Sequence, residues 1–271
     1  MDLKNKIVII TGASSGIGKA CAEEFASRGA NLVLAARQYV TLCDFTADLE
    51  KRFGNKALAV QADVGSEEDC KSLIQQAIAT FGRIDILVNN AGLSMRALFI
   101  EADLSVLKNL MDVNFWGTVY CTKYALPEIL KTKGSIVGVS SIAGYRGLPG
   151  RTGYSASKFA MNGFMESLRT ELLKTGVHVM VACPGFTASN IRVAALSSDG
   201  QAHGETSMEE GKMMTAEAVA GVIVDGIAAR KRTLVMTGQG KLTVWINKLL
   251  PGLADTLVFK HFTKEKNPLI K

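Results

Sequence analysis

The stretch YSASK places Tyr154 four residues ahead of Lys158 with only small side chains between them. On a helix, positions i and i+4 share a face about one turn apart. The ammonium can then reach the phenol and favour its ionised form. A phenol tuned in this way can give up or take a proton. One such pair is weak support, because Tyr and Lys are also common on a partly exposed helix face.

A second group of residues suits an anion. TGASSGIG (11–18) follows an apolar run and precedes a helical pattern. Gly12, Gly16 and Gly18 allow a tight turn and a close approach to a ligand, and the helix start beyond them presents unpaired N–H groups. Ser14 and Ser15 offer hydroxyls, and Ile17 adds its backbone. The stretch is not a nucleotide-hydrolysing P-loop, which needs glycine where Ala13 stands and Ser or Thr where Ala20 follows Lys19. The second apolar run ends LVLAAR, with Ala36 where an acidic residue would take the ribose hydroxyls of NAD. Arg37 follows directly and suits the 2′-phosphate of NADP; the bland alternative is a solvated surface arginine.

The elements that must hold these residues are legible as an alternation. The runs at 6–11, 31–36, 56–61, 84–89, 135–140, 177–182 and 233–237 are short, β-branched and apolar on both faces, as buried parallel strands are. Helix-length stretches lie between them, at 16–28, 66–81, 103–131 and 154–175, with Gly29 and Gly176 placed to end two of them. Repeated β-α units give a parallel sheet covered on both sides. The expectation is an α/β fold: a single doubly wound Rossmann-type domain with a seven-stranded parallel sheet over residues 1–238. A long polar stretch at 186–214 reads as a substrate lid. A basic amphipathic extension occupies 239–271.

Bulk properties narrow the classes. The chain has 271 residues, 48% of them hydrophobic, enough for a sizeable core. Five scattered cysteines without a C-x-x-C pair read as reduced thiols, and three distant histidines make a metal site improbable. A strand starting within a few residues of the N-terminus leaves no room for a signal peptide, which suggests a cytoplasmic protein. The net charge of +6 is uneven: residues 230–271 hold nine basic and two acidic side chains, the rest 22 basic and 23 acidic. Such a tail gives no reason to expect nucleic-acid binding by the body.

Taken in order, TGASSGIG, ADV (62–64), NNAG (89–92), Asn114 in MDVNFWG, Ser141 in VSS, YSASK and PG (184–185) resemble the short-chain dehydrogenase/reductase family over residues 4 to 237. The resemblance implies a small-molecule carbonyl or alcohol substrate and the cofactor NADP(H). It implies Tyr154 as general acid or base, with Lys158 lowering the phenol's pKa and holding the nicotinamide ribose. Ser141, thirteen residues before Tyr154, would position the carbonyl oxygen, and Asn114 would hold a water linking Lys158 to solvent. Asp63 and Val64 would contact adenine, and Asn90, Ala91 and Gly92 the ribose. Past Pro184 and Gly185, Thr187 and Ser189 would meet the carboxamide; the family commonly has Thr where Ser189 stands. Leu93, Ile142, Tyr145 and Leu148 form a mostly apolar candidate pocket, consistent with a lipophilic ketone or aldehyde. The alternatives are a 3-oxoacyl thioester reductase and a catalytically silent NADPH-binding regulator. The family also favours a homodimer or homotetramer, through the helices at 103–131 and 154–175.

Residues 241–262 carry Leu242, Trp245, Ile246, Leu249, Leu250, Leu253 and Leu257 at helical spacing, interrupted by Pro251 and Gly252. Two short helices are expected. Their apolar stripe fits packing on the body or a sister subunit, contact with a membrane surface through the interleaved lysines, or a lid over a greasy substrate.

Overall fold

Runs that are apolar on both faces must be covered twice, and the chain does this with helices on each side of one sheet. The computed structural model describes residues 2–187, 191–202, 204, 213–264 and 267–270. Its strands are β1 (Ile7–Thr11), β2 (Asn31–Ala36), β3 (Ala57–Gln61), β4 (Ile86–Asn89), β5 (Ser135–Val139), β6 (His178–Cys183) and β7 (Thr233–Val235). They form one seven-stranded sheet in the order β3-β2-β1-β4-β5-β6-β7, and every pair is parallel. The helices are α1 (Gly16–Ser27), α2 (Tyr39–Phe53), α3 (Glu67–Phe81), α4 (Leu104–Met111), α5 (Gly117–Thr132), α6 (Thr152–Glu171), α7 (Ala216–Ala228), α8 (Gly238–Leu249) and α9 (Pro251–Phe262).

Side-chain alternation splits the core into two layers. Val8 and Ile10 of β1 point to Phe25 of α1, Leu42 of α2 and Ile223 of α7. Ile7 and Ile9 point the other way, to Leu73 of α3, Ile129 of α5 and Met161 of α6. The winding reverses between β1 and β4, so the loops leaving these two strands diverge and open a crevice at their carboxyl ends. Every segment singled out for chemistry lies along that edge.

The helical stretch at 103–131 is not one helix. A π-helical turn, Asp112–Trp116, separates α4 from α5. The stretch at 154–175 starts earlier and stops at Glu171. Helices α2 and α7 fill intervals for which no helix is named above. All five cysteines are free thiols, four of them buried.

The tail forms two helices as its Pro-Gly break predicts, with Pro251 opening α9 where its missing N–H is harmless. Its inner face docks on the body. Asn247 Nδ2 donates to the Tyr145 carbonyl at 2.9 Å, and Arg146 reaches Asn247 Oδ1 at 3.0 Å and pairs with Asp255. His261 stacks on Phe186 at 6.3 Å between ring centroids, and Phe262 is buried. The outer face stays open: Leu242, Trp245, Leu249, Leu253 and Leu257 are exposed.

Candidate active site

The glycine turn is built as its sequence suggests. Gly12 and Gly16 take φ of 65° and 53°, a left-handed backbone that disfavours other residues. A Cβ on Gly18 would lie 2.2 Å from the Gly12 carbonyl oxygen, so only glycine lets α1 start this close to the turn. Ser15 precedes α1 in an extended conformation and makes no side-chain bond to the first turn. The first-turn donors are thus left without a side-chain cap from Ser15, as suits an anion site. Ser14 is half-buried, and Ile17 packs against the core at the helix start.

Neighbouring loops brace this turn. Thr11 Oγ1 accepts from the N–H groups of Asn90 and Ala91, both at 3.0 Å. Asn90 Nδ2 returns bonds to the carbonyls of Thr11 and Gly12, at 2.9 and 3.2 Å. Thr11 is a structural member of the site that the motif contained but the residue-by-residue reading passed over. Farther along the edge, Arg37 is exposed, and its carbonyl accepts from Gln61 Nε2 at 3.2 Å. Arg37, Gln61, Ala62, Asp63, Asp69 and Ser72 line an open cleft of about 340 Å³. Asp63 is turned toward its own loop, accepting from Gly65 N at 2.9 Å, while Asp69 accepts from Asp63 N at 2.9 Å. Val64 is buried under Gly117 at the start of α5.

At the other end, Asn114 has no exposed surface. Its Oδ1 accepts from Leu93 N at 2.7 Å, and its Nδ2 donates to the Leu93 carbonyl at 2.9 Å and to Ser157 Oγ at 2.8 Å. This two-way grip ties the π-turn to the loop following Gly92 and to α6. Interruptions of this kind are frequent at functional sites. A Cβ on Gly92 would stand 3.0 Å from Asn114 Oδ1 and 3.5 Å from Lys158 Nζ, so both side chains meet over that glycine.

Tyr154 and Lys158 lie on one face of α6 and are both buried. Tyr154 packs with Met95, Val106, Leu110 and Leu196. That apolar setting pushes its phenol above the ordinary range, while the nearby Ser141 hydroxyl and the charge of Arg151 pull it down. Lys158 Nζ donates to the Val139 carbonyl at 2.9 Å and sits over the Tyr154 ring, 5.9 Å from its centroid. Among the described residues no hydrogen bond joins Lys158 Nζ to the Tyr154 hydroxyl, so the lysine is placed to act on the phenol by its charge. Burial brings Lys158 itself down to about 8. Ser141 caps a short 3-10 turn, Ile142–Gly144, and its Oγ accepts from Ala143 N at 3.1 Å. A phenol, a serine hydroxyl and an ammonium thus converge beside the glycine-lined crevice, an arrangement able to hold an oxygen atom and exchange a proton with it.

Pro184 and Gly185 follow β6, and Gly185 is pressed against Thr237. Thr187 is buried, and its hydroxyl donates to the Gly185 carbonyl at 3.1 Å. Ser189 lies outside the described residues, as do parts of the 186–214 stretch. The described parts are anchored by bridges Thr187↔Met214 and Met95↔Leu196. Leu93, Ile142, Tyr145 and Leu148 are all half-buried around the same region. Among the described residues there is no group of three or more His, Cys, Asp or Glu able to hold a metal ion.

The family model for short chain dehydrogenases matches residues 6–199. Similar curated proteins include dehydrogenase/reductase SDR family member 7B of Mus musculus, 32% identical over 97% of this chain and 83% of that protein. Another is the 11-beta-hydroxysteroid dehydrogenase-like 4A protein of Arabidopsis thaliana, 38% identical over 93% of this chain and 83% of that protein. Among solved structures, a short-chain dehydrogenase/reductase from Burkholderia phymatum in complex with NAD superposes with a TM-score of 0.81 at 26% identity, covering 93% and 96% of the two chains. One from Sphingobium yanoikuyae in complex with NADPH gives 0.77 at 26% identity, covering 93% and 94%. With the order of motifs, the parallel sheet and the residues gathered at its edge, these likenesses establish that the chain belongs to the short-chain dehydrogenase/reductase family.

Proposed function

We propose that the protein is an NADP(H)-dependent oxidoreductase that reduces a lipophilic ketone or aldehyde to an alcohol, with Tyr154 as the general acid. The observation that carries this reading is the gathering of the Ser141 hydroxyl, the Tyr154 phenol and a buried Lys158 beside the glycine-lined crevice. Burial keeps the phenol protonated, which is the form a carbonyl reduction needs at its start. Ser141 orients the substrate oxygen, Tyr154 gives it a proton, and Asn114 ties the loop after Gly92 to α6, which carries Lys158. When bound, the nicotinamide cofactor supplies the hydride.

The residues present fit such a cofactor. The uncapped start of α1, the cradle a Cβ on Gly12 or Gly18 would fill, and a buried lysine with no ion-pair partner among the described residues all suit a phosphate-bearing, ribose-bearing group. Gly12, Ser14, Ser15, Gly16, Ile17 and Gly18 would hold the phosphates. Asp63 and Val64 would flank the adenine, Asn90 to Gly92 and Lys158 the ribose, and Pro184, Gly185 and Thr187 the carboxamide. Arg37, exposed after the buried Ala36, supports a preference for the 2′-phosphate of NADP. The similar structures hold NAD in one case and NADPH in another, so the preference rests on Arg37.

The name 11-beta-hydroxysteroid dehydrogenase-like in a 38% identical relative supports a lipophilic substrate class. Purified protein would be followed by NADPH absorbance against steroid ketones, diketones, quinones and 3-oxoacyl thioesters. Turnover of a steroid ketone or diketone is expected. Turnover restricted to 3-oxoacyl thioesters would favour the thioester reductase, and NADPH binding without any turnover would favour the silent regulator.

Two surfaces support contacts beyond the substrate. Trp116 and Phe159, 42% and 46% exposed beside α5 and on α6, suit a subunit interface, and sedimentation as a dimer or tetramer checks it. On α8, Lys241, Leu242, Trp245, Lys248 and Leu249 share the outer face; on α9, Leu253, Leu257 and Lys260 do. Leucine and tryptophan between lysines suit an anionic membrane surface. Among the described residues no helix is long and apolar enough to cross a membrane.

A further inference from the structure

The face of α6 that carries Tyr154 and Lys158 carries a third polar side chain, Asn162, one turn beyond the lysine. It is 5% exposed. Its Nδ2 donates to the carbonyl of Gly144 at 2.9 Å. Gly144 ends the short turn that Ser141 caps, and its own N–H donates to the Ser141 carbonyl at 3.0 Å. The seat is tight. A Cβ on Gly144 would stand 2.7 Å from Asn162 Nδ2, 2.8 Å from Ser140 Oγ and 2.9 Å from the Lys158 carbonyl oxygen. The turn bearing Ser141 thus rests on the α6 backbone at Lys158 and is bonded to that helix through one buried amide.

We infer that Asn162 is a positioning residue for the reaction: it holds the Ser141 turn against α6 so that the Ser141 hydroxyl stays beside the Tyr154 phenol. This rests on the roles of Tyr154 and Ser141 given above. The groups facing the phenol are Ser141, Arg151 at the start of α6, Cys183 at the end of β6, and Lys158 over the ring. Ser141 and Arg151 pull its pKa down, while burial and Cys183 push it up. Of these influences, that of Ser141 is the one that Asn162 supports.

The test compares Asn162→Ala and Asn162→Leu, the second keeping the branching at Cγ without the amide, with Ser141→Ala and the Asn162→Ala/Ser141→Ala double variant. NADPH and an aromatic 1,2-diketone serve as probes. The Asn162 variants are expected to bind NADPH as the parent does and to lose about tenfold in kcat. The alkaline limb of their reduction profile should move up by about half a pH unit, the worth of one lost neutral hydrogen bond. The double variant should be no slower than Ser141→Ala alone. Amide exchange at Gly144, Tyr145 and Arg146 should quicken while β5 keeps its protection, a readout that needs no turnover. A profile moved by Ser141→Ala but not by either Asn162 variant, or unchanged exchange in the turn, would overturn the inference. A profile that Ser141→Ala itself leaves in place would instead sink the catalytic reading on which it stands.

Discussion

At the scale of single residues, the site sets a buried phenol against a buried ammonium. Lys158 is held at about 8 against an ordinary 10.5, the cause being burial. The unfolded chain keeps this proton up to about 10.5 and the folded chain only to about 8. Folding is therefore penalised at every pH below about 8, and the penalty fades as pH rises toward 10.5. Its size at neutral pH is about 3 kcal/mol. Lys158→Met should remove it: turnover is lost, yet the melting temperature at pH 7 rises by a few degrees, and the gap closes near pH 10. An unchanged or lower melting temperature at pH 7 would contradict the account. In the proposed function Arg37 carries the cofactor choice, since Ala36 before it leaves no carboxylate for a ribose diol. Arg37→Asp should raise KM for NADPH about ten- to a hundredfold relative to NADH, the range of one charge-assisted contact. Equal effects on both cofactors would place Arg37 outside the site.

Whole elements decide how these residues meet, and here the sequence was legible unevenly. Strands apolar on both faces and a glycine turn at a strand-helix junction are local signals, and the structure has both where they are expected. The π-turn was not legible, because Asn114 is bonded to Leu93, 21 positions earlier, and nothing in MDVNFWG shows that partner. Helix α2 begins after Gln38, which makes no side-chain cap, so the sequence offers no start signal there. The hold of Asn162 on Gly144 spans 18 positions and was equally invisible, although Asn162 shares the helix face of Tyr154 and Lys158. One element junction answers to pH. His178 at the start of β6 lies 2.7 Å by Nε2 from the Lys231 carbonyl and 3.1 Å by Nδ1 from Ser135 Oγ, which fits a neutral ring donating from Nε2. Burial leads the causes that hold its pKa below the ordinary 6.5. As pH falls through about 6.5, the unfolded chain takes up the proton first, so stability declines toward lower pH. Urea unfolding midpoints at pH 7.5 and 5.5 should drop less in His178→Gln than in the parent; equal drops would assign the acid sensitivity elsewhere.

Across the whole molecule, charge and apolar surface are segregated. The body is close to neutral, and the excess of basic residues sits beyond residue 230. Arg146 and Asn247 fasten α8 to the loop after Ser141, so the inner face of the tail is covered by the body while its outer face is left to solvent. Trp245, 59% exposed, reports on that outer face. Its fluorescence should shift to the blue with vesicles of anionic phospholipid, weaken as salt rises, and stay unchanged with zwitterionic vesicles. No shift with anionic vesicles at low salt would leave the face to a protein partner. This surface and the catalytic edge are separable, so loss of vesicle binding should leave turnover of a soluble diketone unaltered.

The central claim is that Tyr154 gives the proton, and Tyr154→Phe tests it most directly, because it removes one hydroxyl and keeps the ring that packs against Met95 and Leu110. With NADPH binding measured alongside, the account predicts an unchanged Kd for NADPH and a kcat for ketone reduction lower by about 10²- to 10⁴-fold. A Tyr154→Phe variant that binds NADPH and turns over at the parent's rate would contradict it.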